Sequence, residues 1–319
     1  MPTSEFPALR WLLLFGVWLL YGVFGLVATS LAPLVPMVEA DLEISHTQMG
    51  SILGAWQLTY IFAALPCGML LDRLGAHRAL LAAALIIAGS AFARSLAEGY
   101  WGLLFAVMLF GLGGPLVSSG APKVVTSLFK GSDRGLAMGI YITGMSLGGV
   151  VSLTLTHSLL LPKLDGDWRG LLQLWAGLAV LAGVIWFAIG TIKGHTSAAP
   201  AHSISPLQHA RQAEQAGAAE RLSLKRLLRL PGVTIVLLMS VGVFVFNHGL
   251  NNWLPELLRA GGKSYTEAGY WAALPTVVGI LGSLLIPRLA TPKRRFDILL
   301  WLCAAAMLAS LLLQTQNDL

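Results

Sequence analysis

The stretch "GMLLDRLGAHRAL" (68–80) is a charged turn between two long apolar segments. Asp72 and Arg73 close the first segment, and Gly75 follows shortly after them. Ionised side chains are costly in the hydrocarbon core of a bilayer, whereas glycine adopts tight turns without steric cost. We therefore interpret this stretch as a short loop at the membrane edge, where one spanning helix ends and the next begins.

Composition supports a membrane location for the segments on both sides of this turn. The chain has 319 residues, of which 56% are hydrophobic and 11% charged, and its mean hydropathy is +0.73. Soluble domains carry about 25% charged residues. Apolar runs of bilayer length recur along the chain, which indicates a polytopic membrane protein. The first run, 11–36, is too long for the core of a signal peptide, so we predict a retained helix.

Outward from the turn, the pattern predicts nine apolar helices, each of about the 20 residues that a bilayer requires. They lie near 11–36, 48–71, 78–95, 100–125, 135–160, 170–192, 232–254, 267–289 and 297–314. These runs are too long and too uniformly apolar for barrel strands, so the predicted fold class is an all-α polytopic bundle. The stretch 193–230 is predicted to be a polar linker that ends in a short basic amphipathic segment.

Lysines and arginines divide unequally between alternate loops, which predicts the orientation. Of the 21, five fall on one side: Arg94, Lys163, Arg169, Arg259 and Lys263. By the positive-inside rule the richer side, which includes the N-terminus, is cytoplasmic. The net charge of +6 is therefore a topology signal, and we predict no nucleic-acid partner. We expect a multi-pass protein of the cytoplasmic, or inner, membrane, surrounded by the lipid bilayer.

An internal repeat suggests two halves. "LVPMVEADLEISHTQMG" (34–50) aligns without gaps with "WLPELLRAGGKSYTEAG" (253–269). The identical pairs are Pro36 with Pro255, Ser45 with Ser264, Thr47 with Thr266, and Gly50 with Gly269. In both copies the serine is placed to cap the next helix, so helices seven to nine look like a copy of helices one to three. This is the plan of a two-halved secondary transporter. The predicted domains are a six-helix half (1–192), the linker (193–230) and a partial second half (231–319).

The turn at 68–80 resembles the loop signature G-x-L-x-D-R-x-G-R-[RK]-x-x-L of the major facilitator superfamily. The matching residues are Gly68, Leu70, Asp72, Arg73, Gly75 and Leu80, whereas Ala76 stands in place of a basic residue. We expect Gly68 to permit close helix contact and Asp72 to pair with a base or a helix N-terminus. The resemblance implies a loop that locks the inner side shut in one state. Its gating residues would be Gly68, Asp72, Arg73, Gly75 and Arg78.

The stretch "RGLAMGIYITGMSLGG" (134–149) resembles the fifth helix of the same family. Its recurring glycines let helices approach and hinge, and the resemblance adds Arg134, Gly139 and Gly144 to the gating set. Met145 stands where antiporters have a proline, so antiport is not supported. Val107 stands where proton-linked members carry an arginine. Proton coupling through that position is therefore excluded, and the coupling ion stays unknown.

Two further stretches, "GLGGPLVSSGAPKVV" (111–125) and "NHGLNNWLPELL" (247–258), are similar to the small-anion branch of cyanate- and nitroimidazole-type transporters. Members of the family usually have twelve helices, so we expect a C-terminally truncated product that lacks the last three. The predicted function is secondary active transport of a small neutral or anionic solute by alternating access. The alternative is a truncated, non-transporting receptor or assembly protein with the same fold.

The solute site of a two-halved transporter lies near the bilayer midplane, between the halves. Polar and aromatic residues at mid-helix are the candidates: Tyr21, Trp56, Gln57, Tyr60, Tyr141, Asn247, His248, Asn251 and Asn252. No acidic residue lies at mid-membrane, which disfavours cations, and no buried arginine is visible for a strong anion. Amide and hydroxyl groups suit a small neutral or weakly anionic molecule.

On helix seven the polar candidates form a stripe about one turn tall, because Asn247 and Asn251 are four residues apart and share a face. This stripe either lines the cavity, or bonds a neighbouring helix, or marks a break near Gly249. We expect Pro255 to end the helix a little further on.

The sequence gives no support for catalysis, a cofactor or a metal. The motifs H-E-x-x-H and G-x-S-x-G are absent, and His157 and His248 are isolated in sequence. Cys67 and Cys303 lie in apolar segments, where we expect buried thiols and not a disulfide or a metal site. We therefore predict that the protein is not an enzyme.

Overall fold

The computed structural model describes residues 7–192, 231–289 and 294–316, and within them nine helices have 20 residues or more. We number these helices in chain order. They are α1 (Pro7–Thr29), α2 (His46–Leu74), α3 (Ala76–Ser95), α4 (Tyr100–Leu128), α5 (Ser132–Leu155), α6 (Trp168–Ile192), α7 (Pro231–Ala260), α8 (Tyr265–Leu289) and α9 (Arg295–Gln316). The predicted all-helical class is confirmed, and the linker predicted at 193–230 lies outside the described residues.

Six helical spans in the described part of the chain are long and apolar enough to cross a membrane. They correspond to α1 to α6, together with two short extensions at the outer end. One extension joins α1 to α2 through a 3₁₀ turn (Ala32–Leu34) and a short helix (Val35–Leu42). The other continues α5 through a π-helical turn (Thr156–Leu160) and the short helix Leu161–Lys163. The three further membrane spans that the sequence predicts, α7 to α9, stay a prediction. The orientation of the chain in the membrane is also a prediction, and we name the inner and outer ends of the helices by it.

Close packing in the first half is made by pairs of helices. The helix α1 packs along α5, and α4 packs against both α2 and α3. At the α1–α5 contact a Cβ on Gly148 would overlap the carbonyl oxygen of Gly22, and a Cβ on Gly144 would lie 2.5 Å from the carbonyl oxygen of Trp18. Glycine is therefore required for this backbone approach, which confirms the predicted close contact of helix five and identifies α1 as its partner.

The internal repeat appears in the structure as two equivalent helix starts. Ser45 caps α2 in a capping box with Gln48, and Ser264 caps α8 through the same exchange with Glu267. In each copy the loop before the cap turns at a residue with positive φ, +50° at Glu43 and +88° at the aligned Gly262. The predicted caps are confirmed, and both depend only on local sequence.

Pro255 does not end α7 as predicted, because the helix continues through it to Ala260. The helix ends instead at the glycine pair that follows. Gly261 N–H donates to Leu257 O at 3.0 Å, and Lys263 N–H donates to Leu258 O at 3.1 Å across the positive-φ residue between them. A glycine that adopts the left-handed conformation lets the chain leave the helix while the last carbonyls keep their hydrogen bonds, whereas a proline removes one donor and can kink a helix without ending it.

Packing divides the described residues into two units. One unit consists of residues within Met1–Gly190 and Asn252–Leu319, and the other of residues within Thr191–Asn251. The end of α7 therefore belongs to the first unit, with α8. The predicted division at the 193–230 linker stays a prediction.

Candidate functional site

The polar candidates of α2 and α4 meet in the middle of the first half. Tyr60 Oη lies 2.6 Å from Ser118 Oγ, at a point where both side chains are half-buried. The tyrosine ring fits here because α4 has a glycine beside it, and a Cβ on Gly114 would lie 2.6 Å from Tyr60 Cδ2. The pair joins a predicted site residue to a serine on the neighbouring helix.

Aromatic rings connect the other predicted residues of the first half. The rings of Tyr21 and Tyr141 meet edge to face, with centroids 4.9 Å apart. Phe24 lies 6.2 Å from Tyr21 and 6.5 Å from Trp56, and Trp56 lies 6.3 Å from Tyr60. We call the five predicted residues of this cluster the first-half site; they are Tyr21, Trp56, Gln57, Tyr60 and Tyr141.

Gln57 supplies an unused hydrogen-bond acceptor to the first-half site. Its Oε1 is shielded from solvent and has no hydrogen-bond partner within the described residues. Gln57 precedes Tyr60 by three residues on α2, so the two side chains share a face of the helix. Buried polar atoms are almost always hydrogen-bonded, and leaving one unpaired costs about 1–3 kcal/mol. A ligand that carries a donor would satisfy this oxygen.

The predicted residues of α7 lie in a continuous helix, so the break considered near Gly249 is absent. His248 is half-buried, with its ring centroid 4.1 Å from that of Phe244 one turn earlier. Asn252 is half-buried as well. The side chains of Asn247 and Asn251 lie outside the described part of the structure. Cavity lining and helix–helix bonding by this stripe therefore both stay predictions.

Arg94, predicted from the sequence to lie on the outer side with the loop residues, lies in the last turn of α3 and is only 2% exposed. Its Nη1 donates to Val27 O at 2.9 Å and to Ser30 Oγ at 3.1 Å. The guanidinium carbon lies 5.3 Å from the Phe110 ring centroid. The prediction from the sequence that no arginine is buried is therefore wrong. A basic residue next to a helix end looks solvated in sequence, and only the position of the neighbouring helices decides otherwise.

One acidic residue of the charged turn at the inner end, Asp72, forms an ion pair with a neighbouring helix. Lys123 Nζ of α4 lies 2.7 Å from Asp72 Oδ1, which confirms that Asp72 pairs with a base. Gly75 has φ +76°, as the predicted tight turn requires. The close helix contact expected at Gly68 is not found in the described part of the chain, where a Cβ at this position would meet nothing within 4 Å.

The remaining gating candidates lie on this inner side. Arg73, Arg78 and Arg134 are exposed, and Gly139 lies within α5. Next to Arg134, Asp133 pairs with Arg10 of α1 at 3.1 Å. A gating role for these residues stays a prediction.

At the outer end, His157 has neighbours in the structure, although its place in the sequence predicted an isolated residue. It lies in the π-helical turn after α5, with Nε2 2.6 Å from Pro33 O. Its ring centroid is 4.7 Å from that of Tyr265 at the start of α8. The guanidinium carbon of Arg259 lies 3.8 Å from the Tyr265 centroid, and Arg259 Nη1 donates to Glu256 Oε2 at 2.9 Å. We call these five residues the outer cluster. It joins the first half to the ends of α7 and α8.

Neither cysteine forms a disulfide. Cys67 is buried, with Sγ 3.4 Å from Leu112 O. Cys303 on α9 is exposed within the described residues, so its predicted burial is not found. No cluster of histidine, cysteine and acidic residues suited to a metal ion occurs in the described part of the chain.

Known transporters resemble the chain over most of its length. It is 24% identical over 283 residues to a hexuronate transporter of Bacillus subtilis (strain 168), covering 88% of this chain and 63% of the relative. It is 26% identical over 314 residues to a probable galactarate/D-glucarate transporter of the same organism, covering 89% and 65%. A probable nitrate transporter of Staphylococcus carnosus (strain TM300) matches 53% of the chain, at 28% identity, and 42% of its own length. The chain thus spans less than two thirds of the length of these relatives.

Solved structures show the same fold. A bacterial homologue of the human lysosomal transporter Spinster, in an inward-facing and unoccupied conformation, superposes with a TM-score of 0.64 at 20% identity, over 90% of this chain and 64% of that one. A D-xylose–proton symporter gives a TM-score of 0.63 at 19% identity, over 86% and 67%. The sequence profile of the Major Facilitator Superfamily matches residues 17–315. The chain is therefore a multi-pass membrane protein that belongs to the Major Facilitator Superfamily.

Proposed function

We propose that the chain moves a small neutral or anionic solute across the cytoplasmic membrane by alternating access, as a secondary transporter with a cytoplasmic N-terminus. The names of its relatives, which are transporters of hexuronate, galactarate or D-glucarate and nitrate, support a transport function. The observation that carries the proposal is the buried Gln57 Oε1, which has no hydrogen-bond partner among the described residues and lies on the same helix face as Tyr60, the partner of Ser118.

The chemistry of the first-half site favours a hydroxylated solute. Gln57 Oε1 needs an O–H or N–H donor, while the phenols of Tyr21, Tyr60 and Tyr141 both donate and accept. The flat indole of Trp56 supplies an apolar surface beside them. A sugar acid offers hydroxyl donors, an apolar ring face and one negative charge. Cyanate has no donor to offer the Gln57 oxygen, so the sugar acid is our preferred solute and the narrower cyanate- or nitroimidazole-type assignment stays a prediction.

The second half contributes the predicted site residues of α7. In this proposal the amide and imidazole groups of Asn247, His248, Asn251 and Asn252 also take part in solute binding. The loop at 68–80 would control the inner side and the outer cluster the outer side. Alternating access requires that the two sides open in turn around one site.

Uptake into proteoliposomes tests the proposal. We expect radiolabelled glucuronate to accumulate with the wild-type protein, and the Gln57→Ala variant to lose at least about 1 kcal/mol of solute affinity, or roughly a fivefold rise in KM. Gln173→Ala is the matched control, because Gln173 is an exposed amide on α6 and should leave KM unchanged. Equal KM values for the two variants would remove Gln57 from the site.

The alternative is a non-transporting receptor or assembly protein with the same fold. It would bind solute without moving it, so purified protein would be stabilised by glucuronate while proteoliposomes showed no flux. The same preparation therefore distinguishes the two functions.

A further inference from the structure

Arg94 is a buried cation on a helix that supplies none of the residues of the first-half site. Its side chain is 2% exposed, and within the described residues no acidic side chain pairs with it. Its Nε is buried and has no hydrogen-bond partner in the described ranges. A guanidinium stays protonated at any physiological pH, so the charge is permanent. Ionisable groups inside membrane helices are rare and mark functional sites.

The structure compensates this charge only in part. Nη1 bonds the carbonyl of Val27, in the last turn of α1, where the same oxygen accepts from Ser30 Oγ at 2.9 Å. The C-terminal ends of α1 and α3, which both lie beside the guanidinium, carry partial negative charge and stabilise the cation. No carboxylate among the described residues neutralises it, so its positive charge acts on nearby groups.

The first-half site lies within reach of this field. The Arg94 guanidinium carbon is 5.3 Å from the Phe110 ring centroid, and Phe110 is 5.4 Å from the centroid of Trp56. At most about 11 Å therefore separates the guanidinium carbon from the Trp56 ring. Phe110 is fully buried and Trp56 is buried as well, so little water screens the charge along this path.

We propose that Arg94 is a positioning residue for solute selectivity: without touching the solute, its charge makes the first-half site prefer a monoanion over a neutral molecule of the same shape. The inference rests on the proposed function of that site. At an effective dielectric constant of about 20, a unit charge about 10 Å away changes the binding constant of a monoanion by roughly tenfold. The probes are glucuronate and glucuronamide, which differ in the charged group.

The decisive variant keeps Arg94 and offsets its positive charge with a carboxylate on a neighbouring residue. Ser30 Oγ is 3.1 Å from Arg94 Nη1, so Ser30→Asp places a carboxylate against the guanidinium, and Ser30→Asn is its uncharged control of nearly the same size. We expect a glucuronate-to-glucuronamide affinity ratio of about 10 for the wild type and for Ser30→Asn, and a ratio near 1 for Ser30→Asp. Arg94→Lys should keep the preference and Arg94→Gln should lose it.

Affinities are measured both by uptake and by thermal stabilisation of the purified protein. A purely structural role for Arg94 would change folding and leave the ratio alone. The inference is wrong if Ser30→Asp keeps the wild-type ratio, or if the wild type binds both probes equally. If neither probe is transported but the binding ratios behave as expected, the transport proposal fails and the role of Arg94 stands.

Discussion

The outer cluster gives a prediction whose magnitude follows from its contacts. Replacement of Tyr265 by alanine removes its ring contact with His157 of the first half at 4.7 Å, and its cation–π contact with Arg259 of the second half at 3.8 Å. The first contributes about 0.5–1.5 kcal/mol and the second about 0.5–1 kcal/mol at an exposed site. Because Tyr265 is 40% exposed, the lower part of these ranges applies. Only the His157 contact joins the two halves, so we expect Tyr265→Ala to weaken their contact at the outer cluster by about 0.5–1 kcal/mol, a shift of roughly 2- to 5-fold toward an open outer end.

Distances between spin labels report this shift directly. Lys163 and Ala260 are exposed residues near the outer cluster, on the first-half and second-half sides. Each is replaced by a labelled cysteine in a background without Cys67 and Cys303. We expect one short-distance population for the wild type and a second, longer one for Tyr265→Ala.

Tyr265→Phe is the matched control for this experiment, since it keeps the aromatic ring and therefore its contacts with His157 and Arg259. It should reproduce the wild-type distances. If Tyr265→Ala gives the wild-type distribution in the presence and absence of glucuronate, the outer cluster is a static contact and our reasoning about it fails. An equal shift in Tyr265→Phe would assign the effect to the hydroxyl group.

Two further predictions concern the first half. In a thermal unfolding assay, Gly148→Ala should lower the free energy of unfolding by about 1–3 kcal/mol, because the new Cβ would overlap the Gly22 carbonyl. Gly135→Ala is the control: a Cβ there meets nothing within 4 Å among the described residues, so this variant should be neutral or slightly more stable. Asp72→Asn should change stability by less than about 1 kcal/mol, since the side chains of Asp72 and Lys123 are 74% and 49% exposed and surface pairs contribute little. If the turn also controls the inner side, glucuronate uptake by Asp72→Asn should fall by far more than this stability change explains, and unchanged uptake would exclude that role.

Local features of this protein were predictable because they depend on neighbouring residues in the chain. The serine caps at Ser45 and Ser264 need only the glutamine or glutamate three residues later, and both form. The tight turn at Gly75 needs only a residue that tolerates positive φ. The apolar runs, longer than any soluble helix requires, predicted the helical class, and α1 to α6 meet the length and composition of membrane spans.

Part of the first-half site was also predictable, because a polar or aromatic residue in the middle of an apolar helix needs a partner. Tyr21, Trp56, Tyr60 and Tyr141 were selected in this way, and the structure brings them into one cluster. The sequence does not say which of them already have partners. Tyr60 bonds Ser118 on α4, whereas the oxygen of Gln57 has none in the described residues.

The features that only the tertiary structure decided all depend on which helix lies opposite. Arg94 has the sequence position of a loop arginine, yet α1 and α4 enclose it. His157 lacks a sequence partner and finds Pro33 and Tyr265 from distant parts of the chain. The composition and local spacing of the sequence determined that the chain spans a membrane and where its helices start. The burial of one charge, and hence the anion preference that we propose, was decided by packing between helices far apart in sequence, because burial is a property of neighbours in space.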